Sequence, residues 1–146
     1  MTRFLAALAL LAFAFSPISV MAADVTHKVA IHVDQNDHQV MNMALNNAKN
    51  IDSYYNAKGE TVEIELVAYG PGLMMLRDDK SPVKDRISAM SLEIDNISFS
   101  ACGNTHRAMS KKEGKEVELL DEATMVPSGA VRLIELQEQG FAYIRP

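Results

Sequence analysis

The sequence predicts an α/β fold: a mostly parallel sheet of about five strands, with helices on both faces. Two features carry this expectation. Short β-branched runs alternate with longer amphipathic stretches, and Gly or Pro punctuates most of the junctions between them. Such alternation is the mark of βαβ units, whose strands run parallel beneath crossover helices.

The chain opens with a segment outside this pattern. Arg3 precedes an apolar run from Phe4 to Phe15, and small residues follow at Ala22 and Ala23. A basic start, an apolar run too short to cross a bilayer and a small-residue cleavage site together read as a secretory signal peptide. Residues 1–22 are therefore expected to be removed, leaving residues 23–146 as a single domain in the periplasm with no membrane span. Arg3 is the only basic residue before the run, so the signal is not of the twin-arginine type.

Lys28 to Val33 is the first strand, and Asp34-Gln35-Asn36-Asp37 breaks it into a helix cap. Val40, Met43, Ala44, Ala48, Ile51 and Tyr55 recur at spacings of three and four, which predicts a helix over 38–57 stopped by Gly59. Thr61 to Tyr69 is the second strand. Gly70-Pro71-Gly72 then turns the chain into a short helical segment at 73–76. Pro82 opens a helix over 82–92 with Val83, Ile87 and Met90 on one face, and Ile94 to Ala101 forms the third strand. A helix over 104–112 follows and Gly114 ends it. Val117 to Leu120 is expected as a short fourth strand or extended segment. Pro127-Ser128-Gly129 opens the last helix, with Ala130, Leu133, Ile134 and Gln137 on its inner face, and Phe141 to Ile144 is the final strand.

Composition narrows the function. The formal charge is −5 at pH 7, and removal of Arg3 makes the mature chain one charge more negative. Arg107, Lys111 and Lys112 are the only basic cluster and Glu113 follows them, so a solvated helix face accounts for them and no nucleic-acid partner is expected. Gly70-Pro71-Gly72 is too short for a phosphate loop and lacks its Gly-Lys ending. Met41, Met43, Met74, Met75 and Met90 lie at helical spacings that suit a core or a subunit contact better than copper binding.

Chemistry in open α/β sheets gathers at the carboxyl ends of the strands, near the point where strand order reverses. Three segments are expected to meet there: Asp34 to Asp37, Tyr69 to Gly72 and Cys102 to Thr105. Cys102 is the single cysteine of the chain, unusual for an exported protein, where thiols normally pair. At a helix N-terminus its thiolate would be favoured, Gly103 would allow close backbone approach, and His106 one turn on would reinforce the effect if charged. The other reading is a small buried hydrophobe. Cys102 and His106 alone make half a metal site, and His27, His32 and His38 are not placed beside them by any spacing rule, so neither metal nor other cofactor is expected.

The segments Ala68-Tyr69-Gly70-Pro71-Gly72-Leu73, Ala101-Cys102-Gly103-Asn104-Thr105 and Val126-Pro127-Ser128-Gly129-Ala130-Val131, in this order, resemble the DsrE family of sulfur-relay proteins across the mature chain. The resemblance implies a three-layer flavodoxin-like or Rossmann-like sandwich and homo-oligomers, often trimers or hexamers. In the sulfur-transferring members it also implies a cysteine that bears a persulfide and exchanges it with a donor or acceptor protein. Only Cys102 matches that cysteine. Gly103, Asn104, Thr105, His106, Tyr69 and Gly70 are the expected binding residues around it. The expected function is thus a periplasmic sulfur carrier, the alternative being an oligomeric small-ligand-binding or assembly module with a structural cysteine.

Overall fold

The computed structural model describes residues 25–146, so the segment expected to be a signal peptide lies outside the described residues. The elements run β1 (Val25–Val33), α1 (His38–Asn56), β2 (Thr61–Ala68), a 3₁₀ segment (Gly70–Leu76), α2 (Lys84–Glu93), β3 (Ile97–Cys102), α3 (Gly103–Glu113), β4 (Ala123–Val126), α4 (Gly129–Glu138) and β5 (Ala142–Ile144). Every strand pairing is parallel, in the order β4-β3-β2-β1-β5. The expected α/β fold with helices on both sides is the one observed. No helix among the described residues is long and apolar enough to cross a membrane.

The two faces of the sheet are covered unequally. Val29, Ile31, Ile64, Leu66 and Phe99 point into the larger core, where α1 contributes Met41, Ala44, Leu45 and Ala48, and α2 contributes Ile87 and Met90. Ala30 and Val67 face the other way, against Leu133 and Leu136 of α4 and Phe141. This follows from the strand order: the chain steps outward from β1 to β4 on one face, and only the crossover through α4 returns to the far side of β1.

Local signals explain the element starts. Asp37 caps α1, its Oδ1 accepting from the N–H groups of Gln39 at 2.7 Å and Val40 at 3.2 Å. Ser128 caps α4 by accepting from Val131. Gly114 stands at φ 67°, the left-handed conformation that ends a helix cheaply when the residue is glycine.

Three expectations are corrected. The fourth strand is Ala123–Val126, beside β3; Val117 to Leu120 is the extended alternative, held against the 3₁₀ segment and its exit by Leu120 N–H to Leu76 O and a single antiparallel bridge between Leu119 and Arg77. The inner face of α1 uses Met41 and Leu45 where Met43 was expected, and Met43 is exposed. On α4 the inner pair is Leu133 and Leu136, while Ala130, Ile134 and Gln137 face solvent.

Arg77, 1 % exposed, organises the long connection after β2. Its guanidinium forks onto Glu113 at the end of α3, at 2.5 and 3.1 Å, and onto Asp79 at 2.9 and 2.8 Å. The Arg77 contact is the main reason the Glu113 carboxyl is held down to about 2. Gly72 fixes the same region from the other side: a Cβ there would lie inside the van der Waals envelope of the Val33 carbonyl. Gly72→Ala is therefore expected to lower stability by about 2 kcal/mol or more, read from the urea midpoint.

Candidate functional site at the carboxyl edge of the sheet

Cys102 is the last residue of β3 and the N-cap of α3, with an extended backbone at φ −68° and ψ 114°. The β2–β3 register pairs Ala68 with Ala101, which sets Tyr69 level with Cys102. The Gly70 N–H donates to Thr105 Oγ1 at 2.9 Å, tying the turn after β2 to the first turn of α3. From the opposite face α4 closes in: a Cβ at Gly129 would stand 2.9 Å from Tyr69 Cβ and 3.2 Å from Cys102 Cβ. Only a residue without a side chain lets α4 begin so close to both. The segments after β1, β2 and β3 thus meet as expected, and a fourth, the start of α4, joins them.

The thiol is 4 % exposed but is not in an apolar hole. Burial pushes the Cys102 thiol up; the Thr105 hydroxyl and the backbone N–H groups of Gly129, Thr105 and Asn104 outweigh it and bring the thiol below its ordinary value. Among the described residues the Cys102 side chain makes no capping hydrogen bond, and the positive ends of the α3 and α4 dipoles lie beside it. Two helix starts, α3 and α4, converge on one sulfur.

Beside it lies a polar row at the ends of β2, β1 and β5. The ring of Tyr69 stacks on His32, centroids 4.5 Å apart, and His32 Nδ1 is 2.7 Å from the Tyr143 hydroxyl. Arg145 donates to both carboxylate oxygens of Asp34, at 2.8 and 3.1 Å from Nη2. Burial, then the charge of Asp34, pushes the Tyr69 phenol up, so it stays protonated. Burial likewise pushes His32 down and keeps it neutral, with Asp34 opposing and Arg145 reinforcing the shift. His32 Nε2 is buried, with no hydrogen-bond partner among the described residues. The reversal of strand order falls between β1 and β5, and this row fills it; the thiol sits two strands away, on β3.

The other expected residues divide. Thr105, Gly70, Tyr69 and Asn104 surround the thiol or its approach. Gly103 is packed: a Cβ there would be 3.1 Å from the Val126 carbonyl and 3.5 Å from Met125 Sδ. His106 turns away, its Nε2 2.7 Å from the Val117 carbonyl oxygen, where it braces the segment after α3. A shallow cleft of about 410 Å³, lined by Gly70, Asn104, Thr105, Ala108, Met109 and Lys112, opens beside Thr105. Among the described residues no three His, Cys, Asp or Glu side chains converge as metal ligands. Gly129, His32, Tyr143, Asp34 and Arg145 had no place among the expected binding residues. Gly129 and Asp34 lay in singled-out segments; His32, Tyr143 and Arg145 join only through contacts between distant parts of the chain.

Fold and site define an open parallel α/β protein with a thiol presented at the carboxyl edge of its sheet. The chain belongs to the DsrE/DsrF-like family, whose model matches residues 7–146. Among solved structures it is similar to a protein of unknown function from Methanobacterium thermoautotrophicum. That match has 32 % identity and a TM-score of 0.70, and covers 82 % of this chain and 99 % of the other. No curated protein matches it.

A neutral, buried His32 makes stability depend on pH. Unfolded, the imidazole takes up a proton below about pH 6.5; folded, it does so only at lower pH, so its contribution is complete above about 6.5 and is lost as the pH falls. The urea midpoint is expected to drop from about pH 7 to about pH 5, and His32→Phe to flatten that slope.

Proposed function

We propose that the protein carries sulfane sulfur as a persulfide on Cys102. The observation that carries this reading is the position of Cys102 between two helix starts, as the N-cap of α3 and against Gly129 at the start of α4, where the Thr105 hydroxyl and the N–H groups of Asn104, Thr105 and Gly129 favour an anion. In the loading step the Cys102 thiolate attacks the terminal sulfur of a donor persulfide or polysulfide. A bond forms between Sγ and that sulfur, the donor's own S–S bond breaks, and the donor leaves as a thiolate carrying the bond's electron pair. Unloading is the same exchange onto an acceptor thiolate, so no outside oxidant or reductant is needed. Membership of the DsrE/DsrF-like family supports a place in sulfur relay.

The same reading makes the protein periplasmic, on the strength of Arg3 and the apolar run behind it, and a homo-oligomer, trimeric or hexameric. Met125 on the edge strand β4 and Val131 and Ile134 on α4 are exposed apolar side chains that support self-association. The second reading, an oligomeric ligand-binding or assembly module with a packed cysteine, is favoured by the low exposure of the thiol.

Intact mass spectrometry after polysulfide treatment tests the first reading. The mature protein is expected to gain the mass of one sulfur atom, reversed by a thiol reductant, and Cys102→Ala is expected to gain nothing. A thiol inert until the chain is unfolded would establish the second. Thr105→Val removes the hydroxyl that favours the thiolate and is expected to slow alkylation at pH 7 by about threefold or more.

A further inference from the structure

Beneath the thiol, on the face covered by α4, the sheet holds a carboxylate that the persulfide chemistry does not use. Glu65, in the middle of β2, is 5 % exposed. Arg132 of α4 grips it with two parallel hydrogen bonds, Nε to Oε1 and Nη2 to Oε2, both 2.7 Å, and Ser100 of β3 donates to Oε1 at 2.5 Å. Arg132 also reaches Glu135 at 3.7 Å.

A buried ion pair adds little net stability over apolar side chains of similar volume, because desolvation offsets the attraction. Its distinctive property is geometric, since a forked guanidinium–carboxylate contact fixes distance and orientation together. Here it fixes the first turn of α4. Arg132 lies three residues after Gly129, its N–H bonds the Ser128 carbonyl at 2.9 Å, and Gly129 is the residue pressed against Cys102 and Tyr69. Ser100 lies two residues before Cys102 on the same strand and face, so one carboxylate ties α4 to the strand bearing the thiol.

We propose that Glu65, Arg132 and Ser100 form a positioning device that seats the start of α4 against Cys102 and thereby sets the reactivity of the thiol. The inference rests on the reading of Cys102 as a working thiol. The groups facing that thiol are Tyr69 from the end of β2, Thr105 and Asn104 from α3, and Gly129 from α4, with the charges of Asp34 and Arg145 beyond Tyr69 and of Arg107 beyond Gly103.

The test replaces the pair by a neutral one, Glu65→Gln with Arg132→Met, and measures thiolate absorbance against pH, alkylation rate at pH 7 and urea midpoint. The expected result is a midpoint near that of the wild type, a raised thiol pKa and alkylation slowed about threefold or more, the effect of about half a pKa unit on thiolate fraction. Arg132→Lys, which keeps the charge and loses the fork, is expected to move the pKa the same way by less, and serves if the double variant does not fold. A reactive wild-type thiol whose pKa and rate are unchanged in the variants overturns the inference alone. A wild-type thiol inert until unfolding overturns the reading of Cys102 and the inference with it.

Discussion

All five strands point the same way, and the rest of the molecule depends on that constraint. A parallel ladder delivers every strand-to-helix connection to one edge of the sheet, and it obliges each connection to cross a face and bury an apolar stripe there. Cys102, Tyr69, Asp34 and the start of α4 are neighbours because each lies at or just after the carboxyl end of a strand. The parallel ladder also explains why glycine recurs at this edge: Gly72 and Gly129 stand where two chain segments leave no room for a side chain.

Unequal covering of the sheet gives the site its polarity. The larger core is apolar, built from Ile, Leu, Val, Met, Ala and Phe. The α4 face is narrower and mixes Ala30, Val67 and Leu136 with Glu65, Ser100, His32 and the thiol. A helix lying alone on a sheet has few apolar contacts to define its position, and polar contacts of fixed direction supply what packing does not. The thiol owes its surroundings to this face, since the dipole of α4 acts on it only while α4 is held close.

Much of the fold was legible because its signals are local. Asp37 before a three-and-four periodicity marks α1, and Gly114 marks the end of α3. The misplaced fourth strand shows where local signals mislead: Val117 and Leu120 are apolar because they pack beside the Arg77 connection, whereas Ala123 to Val126 is short, half exposed and unremarkable in sequence. The inner face of α4 was misread for a related reason. Ile134 looks like a core residue, but the helix crosses the sheet on Leu133 and Leu136. Cys102 was legible as a helix-start thiol from the turn-forming residues after it. The companions of Tyr69 were not, since His32 and Asp34 meet Tyr143 and Arg145 across 111 positions of sequence and no spacing rule spans that interval.

That interval bears on how the chain reaches its folded form. The inner strand β1 has β2 on one side and, on the other, Ala142 to Ile144, paired with residues 113 positions earlier in the chain. Until Ala142 to Ile144 dock, β1 keeps an open hydrogen-bonding edge, and the clasp between Asp34 and Arg145 does not exist. Pairings so distant in sequence form late and slowly. The folding chain thus keeps one side of β1 open until β5 docks, and an unpaired strand edge is where another extended segment can pair.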